Sequence, residues 1–266
     1  MSRISALFER LKKQREAALV PFITAGDPDM ATTAALVKRL IECGADMIEI
    51  GVPFSDPMAD GPTIQAASQR ALDNEFSIAS ILELVANVRC YSSVPVILFG
   101  YYNPFYQYGL ARLAADAGNA GVDAFLVVDL PPEEAGPMKD AAAERGMDTI
   151  FLLAPTSTDE RIRAVAEQAS GFIYFVSVTG VTGARSSIDA SLGEYVARVR
   201  SHSTLPVGIG FGISSPEHVR EIAGYADAVI VGSAIIRIIE EYRDSNELLG
   251  RVGDFIRSLK DATGKN

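Results

Sequence analysis

Short apolar runs alternate with longer amphipathic stretches along the whole chain. Eight runs predict strands: Leu19–Ala25, Met47–Val52, Val94–Gly100, Ala124–Leu130, Thr149–Leu153, Phe172–Val178, Val207–Phe211 and Ala228–Gly232. They are rich in Val, Ile, Leu and Phe and nearly free of charge. That is the pattern of strands covered on both faces, as in a parallel sheet. The segments between them read as helices. Ala31–Cys43 carries apolar residues at Leu36, Val37, Leu40 and Ile41 and ends at Gly44, a C′ glycine. Ser157 with Glu160, and Ser191 with Glu194, have capping-box spacing. Ser215-Pro216 has the form of an N-cap followed by proline at the first helical position, and a further helix lies within Pro131–Gly146.

Strands alternating with helices eight times predict a closed (β/α)8 barrel, for which about 250 residues is the usual size. A first helix, Ile4–Arg15, would cover the barrel floor, and a short extra helix would open at Ser233 near strand eight. The rival is an open doubly wound sheet, which announces a nucleotide with Gly-x-Gly-x-x-Gly after strand one. Here that turn is Thr24-Ala-Gly-Asp-Pro-Asp29. No Ser/Pro/Gly-rich linker or charge block divides the 266 residues, so one catalytic domain over 1–266 is expected. An internal echo supports a repeated βα unit: Asp46-Met-Ile-Glu-Ile-Gly51, Asp123-Ala-Phe-Leu-Val-Val128 and Asp227-Ala-Val-Ile-Val-Gly232. It aligns Glu49, Leu126 and Ile230, then Gly51, Val128 and Gly232. Period-two alternation puts these on one face, the interior of a closed sheet.

Composition narrows the function. Lys plus Arg number 24 and Asp plus Glu 34, a net charge of −10 that argues against a primary nucleic-acid or anionic-membrane binder. Two cysteines, Cys43 and Cys90, make no disulfide framework or Cys-rich zinc site. Two histidines, His202 and His218, make no His-rich metal site and read as surface or capping residues. No uncharged apolar stretch reaches the roughly 18 residues of a membrane helix, and the N-terminus has no signal-peptide pattern. A cytoplasmic protein is expected.

Glu49 carries the most information. Flanked by Ile48 and Ile50, it points to the barrel axis if those isoleucines face the outer helices. Desolvation there raises a carboxyl pKa toward the range useful for proton transfer. The plainer reading is a Glu at an exposed strand end or paired with a core cation. The loop Gly51–Pro62 holds three prolines, two glycines and two aspartates, Asp56 and Asp60. These are either turn aspartates or, for Asp60, a second carboxylate opposite Glu49, the two dividing the labour of proton exchange and charge. Glycine-bearing turns at 178–183, 208–213 and 231–234 either permit tight βα turns or cradle an anion with backbone N–H groups. The last two stand where barrels often bind phosphate. Phe22, Phe99, Tyr101, Tyr102 and Tyr174 are core aromatics or pocket walls.

The motifs Pro21-Phe-Ile-Thr-Ala-Gly-Asp-Pro28, Glu49-Ile-Gly-Val-Pro-Phe-Ser-Asp-Pro-Met-Ala-Asp-Gly-Pro-Thr-Ile-Gln65, Ser177-Val-Thr-Gly-Val-Thr-Gly183 and Gly208-Ile-Gly-Phe-Gly-Ile213 resemble the tryptophan synthase alpha-chain family, over roughly residues 4–260. The resemblance implies a TIM barrel and a lyase that cleaves indole-3-glycerol phosphate reversibly to indole and glyceraldehyde 3-phosphate in tryptophan biosynthesis. Glu49 then matches the general acid–base. Asp60 matches the carboxylate that binds the indole N–H and stabilises the cationic intermediate. Gly183, Gly212, Gly232 and Ser233 match phosphate-binding positions, and Phe22, Tyr101, Leu126, Val128, Tyr174, Phe211 and Ile230 match pocket positions. The resemblance implies no metal and no cofactor in this chain. It implies pyridoxal phosphate in a partner beta chain that takes the indole, an alpha2-beta2 heterotetramer, and mobile loops at Pro53–Asp60 and Thr179–Asp189. One position departs: Val178 stands where several relatives carry arginine. Three alternatives are another phosphate-binding barrel enzyme of the same pathway, such as an indole-glycerol-phosphate synthase or a phosphoribosylanthranilate isomerase, a partner-independent indole-glycerol-phosphate lyase, and a weakly active subunit that mainly activates its partner.

Overall fold

The computed structural model describes residues 2–74, 76–176, 191–210 and 212–265. Helix α1 (Arg3–Gln14) is followed by β1 (Ala18–Thr24), α2 (Met30–Glu42), β2 (Ile48–Gly51), α3 (Pro62–Leu72) and α4 (Ile78–Arg89). Next come β3 (Val96–Gly100), α5 (Tyr102–Tyr108), α6 (Leu110–Ala120), β4 (Ala124–Val127) and α7 (Gly136–Ala143). The second half runs β5 (Asp148–Leu153), α8 (Asp159–Gln168), β6 (Ile173–Val176), α9 (Ser191–Arg200), β7 (Val207–Gly210), α10 (Pro216–Ala223), β8 (Ala228–Val231), α11 (Ser233–Tyr242) and α12 (Leu248–Lys260). All eight strands pair in parallel in chain order, and β8 closes on β1, where Val20 faces Ile230. The expected (β/α)8 barrel, its N-terminal helix and an extra helix after strand eight are all present.

Two apolar layers explain the uncharged strands. Ile23, Ile48, Ile50, Leu98, Phe125 and Val229 face outward into one cluster with the helices. Val20, Met47, Ile97, Leu126, Phe172 and Ile230 face inward into a second cluster. Burying both faces removes the alternation that a half-wet strand shows. The inner cluster includes Ile4, Leu7, Phe8 and Leu11 of α1, spaced to form one helical stripe. Ser2 caps this helix by accepting the Ser5 N–H at 3.2 Å. Its apolar stripe closes the floor, where Phe8 meets Phe172 at a ring-centroid distance of 5.8 Å. Phe8→Ala is expected to cost about 3–5 kcal/mol of stability, the range for truncating a buried phenylalanine. Urea unfolding checks this, and a loss below about 1 kcal/mol would show that the floor is not a packed part of the core.

The echoed aspartates hold the floor ends of the strands. Asp46 accepts the Leu19 N–H at 3.0 Å, Asp123 that of Val96 at 2.7 Å and Asp227 that of Val207 at 3.0 Å. Each carboxylate before an even strand thus satisfies a backbone donor on the preceding odd strand. A cation neutralises each one: Lys260 at 2.9 Å, Arg89 at 2.6 Å and Arg200 at 2.8 Å respectively. Before β6 the same place is taken by Ser170, whose Oγ accepts the Thr149 N–H at 2.9 Å.

Some expected boundaries shift. Strand β3 starts at Val96 rather than Val94, because Pro95 has no N–H to give and only its carbonyl pairs, with Ile48. Helix α8 is capped by Thr158, which accepts the Arg161 N–H, whereas Ser157 turns back to accept the Ala154 N–H at 3.0 Å. Ser191 is the first residue of α9 instead of its cap. Ser215 caps α10 with Pro216 in its first turn, as read from the sequence.

Candidate active site

At the carboxyl ends of the strands the barrel opens into a mouth with an acid at its bottom. Glu49 sits in β2 with Ile48 and Ile50 on the outer side, so its side chain enters the interior. It is fully buried, and its register neighbours are Phe22 and Ile97. Neither carboxyl oxygen has a hydrogen-bond partner among the described residues. Burial alone raises its pKa to about 8, so Glu49 is mostly protonated at neutral pH. The plainer sequence reading, an exposed or ion-paired glutamate, does not hold.

Asp60 ends the loop between β2 and α3. Gly61 is the N-cap of α3 and Pro62 its first residue, which places Asp60 just outside the helix. The loop is braced from α3 by Gln65, whose side-chain amide donates to the Asp60 carbonyl at 2.9 Å. Asp60 Oδ2 accepts the Tyr101 hydroxyl at 3.1 Å. Burial raises the Asp60 pKa to about 6, and the Tyr101 hydrogen bond opposes the rise. Burial holds the Tyr174 hydroxyl well above its ordinary range, and the nearby Glu49 and Asp60 carboxyls add to the rise.

Aromatic rings wall the mouth. Phe22 meets Phe99 edge-on at 5.1 Å and Phe54 meets Tyr101 at 5.2 Å, while Tyr174 stacks on Phe172 of the floor layer below it at 6.4 Å. Leu126 and Ile230 are buried in the interior cluster, and Val128 packs on its edge. Phe99, Leu152 and Val176 also pack there. Parity along β5 and β6 could have pointed to the last two, since Leu152 lies two residues beyond Ile150 and Val176 two beyond Tyr174. Thr24, buried at the end of β1, has no partner for its hydroxyl among the described residues.

The third component is at β7 and β8. Gly212 is exposed with φ +72°, a conformation that L side chains rarely adopt, and its would-be Cβ meets open space. Gly232 caps α11 with no side-chain bond to the first turn, and Ser233 begins the helix. The helix start therefore offers backbone N–H groups and the positive end of its dipole. The Phe22 ring lies close to both Gly51 of β2 and Gly232, joining the acid side of the mouth to this end. Gly183, Phe211, Val178 and the stretch 179–189 lie outside the described residues. His202, His218, Cys43 and Cys90 take no part in this mouth. Cys43 and Cys90 end α2 and α4, His218 lies in α10, and His202 follows α9 with its Nε2 3.7 Å from Asp159. No group of three or more His, Cys, Asp or Glu among the described residues is disposed to hold a metal ion.

Such a site suits a flat aromatic substrate that carries a small anion and reacts by proton transfer. The chain is similar to known proteins over nearly its whole length. A family profile described as Tryptophan synthase alpha chain matches residues 8–263. The tryptophan synthase alpha chain of Geobacter sulfurreducens is 54% identical over 99% of this chain and 100% of its own. That of Geotalea uraniireducens is 55% identical over 98% and 97%. Among solved structures, tryptophan synthase subunit alpha from Legionella pneumophila superposes with a TM-score of 0.92 at 39% identity, covering 99% of this chain and 98% of that one. A chain in the tryptophan synthase complex of Pyrococcus furiosus gives 0.85 at 37%, covering 92% and 98%.

Proposed function

The chain belongs to the tryptophan synthase alpha-chain family, whose reaction is the reversible cleavage of indole-3-glycerol phosphate to indole and glyceraldehyde 3-phosphate, and from that premise we propose how its residues carry the reaction out. The observation that carries the reading is a pair of carboxyls in one mouth with opposite surroundings. Glu49 has no donor among the described residues and stays protonated at pH 7, while Asp60 has the Tyr101 hydroxyl and stays largely ionised.

Protonated Glu49 gives its proton to C3 of the indole ring, and the ring becomes an indoleninium cation. Asp60 accepts the indole N–H and offsets that charge. The Glu49 carboxylate then takes the proton of the glycerol hydroxyl next to C3. The O–H electrons form the aldehyde C=O, the carbon–carbon bond breaks, and its electrons return to the ring. Indole and glyceraldehyde 3-phosphate leave, and Glu49 is again protonated. Phe22, Tyr101, Leu126, Val128, Tyr174 and Ile230 wall the indole, and the family resemblance adds Phe211 to this set. Gly232 and Ser233, at the start of α11, and Gly212, after β7, hold the phosphate through backbone N–H groups, and the family resemblance adds Gly183 to this set. General acid–base action of this kind contributes roughly 10²–10⁴-fold, and positioning of the charge adds more.

The protonation states set the pH range. Below about 6 Asp60 gains a proton and no longer offsets the cation, and above about 8 Glu49 has no proton to give. We expect kcat/KM for indole release to follow a bell with limbs near pH 6 and pH 8. A profile flat from pH 5 to about 9 would contradict both assignments.

The family's name, an alpha chain, implies a beta-chain partner, and on this reading pyridoxal phosphate belongs to that partner. We place this chain in a cytoplasmic alpha2-beta2 heterotetramer. No helix among the described residues is long and apolar enough to cross a membrane. Met58, at the tip of the Asp60 loop, is 86% exposed, which suits the loop 53–60 to face the partner. Partner binding, on this reading, steadies that loop and raises turnover. Indole formation measured with and without beta chain is the test. The expected gain is about tenfold or more, and unchanged turnover at saturating beta chain would favour a partner-independent lyase.

A further inference from the structure

Tyr101 is more than a wall of the indole pocket. Its hydroxyl makes two hydrogen bonds to consecutive residues of the Asp60 loop: it accepts the Ala59 N–H at 3.0 Å and meets Asp60 Oδ2 at 3.1 Å. The first bond fixes the direction of the second. An amide can only donate, so the single phenolic proton is free to point at the carboxylate. The phenol itself is well placed. Tyr101 is buried, it follows β3 directly as the N-cap of α5, and the next residue's N–H donates to Asp129 Oδ1 at 2.7 Å. Its ring packs on Phe54 from the same loop.

Glu49 is fully buried with no donor among the described residues, whereas Asp60 is half-buried and accepts this hydroxyl, so burial and the hydroxyl together make the two acids unlike each other. We propose that Tyr101 is a positioning residue that ties the Asp60 loop to β3 and holds Asp60 ionised, with its carboxylate aimed into the mouth. The proposal rests on the role of Asp60 given above. A wall residue contributes apolar area, which phenylalanine preserves. A positioning residue acts through its oxygen, which phenylalanine removes. The two roles therefore separate in a single substitution.

Tyr101→Phe keeps the ring against Phe54 and deletes only the hydroxyl. With the opposing hydrogen bond gone, the acidic limb of kcat/KM is expected to move up by about one pH unit, and kcat at pH 7 to fall about tenfold. The basic limb and the affinity for glycerol 3-phosphate, used as the phosphate probe, should stay within about twofold. Hydrogen exchange at the Ala59 amide should quicken by about tenfold or more. An acidic limb that stays within about 0.2 unit of wild type overturns the proposal, whatever happens to KM. Asp60→Asn, run beside it, separates the two levels. If the acidic limb survives that substitution, the role of Asp60 itself is wrong. If it vanishes there yet is unmoved in Tyr101→Phe, the positioning role alone is wrong.

Discussion

Glu49→Gln is expected to lower kcat for indole release by about 10³-fold, within the 10²–10⁴ range of a lost general acid. Affinity for glycerol 3-phosphate should remain within about tenfold, because the proposed phosphate end lies beyond β7 and β8 and the amide keeps the size of the acid. Retention of more than about 10% of wild-type turnover would refute the assignment. The same substitution carries a stability signature of opposite sign. Glu49 has a folded-state pKa of about 8 against an ordinary 4.5. Its contribution is therefore intact below pH 4.5 and is lost as pH rises through 8. For a fully desolvated carboxyl that loss is on the order of 5 kcal/mol between those limits. Glutamine does not titrate, so Glu49→Gln should gain stability relative to wild type as pH is raised from 5 to about 9. Urea unfolding at several pH values reads the crossing. Parallel pH profiles for the two proteins would mean that Glu49 titrates as a solvated acid.

The second large effect is at Asp60. Asp60→Asn keeps the volume and the bond from Tyr101 but removes the charge that opposes the indoleninium. A fixed group aimed at developing charge is typically worth 10²–10³-fold, so kcat/KM should fall by about that much. The loss should lie mainly in kcat, since the uncharged indole of the ground state gains less from the carboxylate than the cation does. The acidic limb near pH 6 should disappear with it. A decrease of less than about threefold would mean that the cation is stabilised elsewhere.

Much of the barrel was legible because both of its faces are dry. Uncharged strand runs separated by capped helices state a closed parallel sheet, and the echo around Asp46, Asp123 and Asp227 marks where the unit repeats. Glu49 stood out by parity: one acid among apolar residues, between two isoleucines that had to face the helices. The roles of Asp60, the glycines and the pocket residues came from resemblance, since Asp60 lies on a loop where no periodicity fixes a direction. What the pattern left open was long-range geometry. The bond from Tyr101 to Asp60 joins residues 41 apart in the chain. Likewise, whether Phe22 and Phe99 were core or wall depends on strand neighbours that only the closed sheet supplies. The cap misread at Ser157 has a local cause, because Thr158 offers the same chemistry one residue later.

The central claim concerns the state of one carboxyl, and carbon-13 NMR of glutamate side chains sees it without reference to turnover. Protein labelled at the glutamate carboxyl carbon should show one resonance, absent from Glu49→Gln, that titrates near pH 8. If that resonance instead titrates close to 4.5, the acid is wet and ionised at neutral pH, and it cannot be the proton donor of the cleavage.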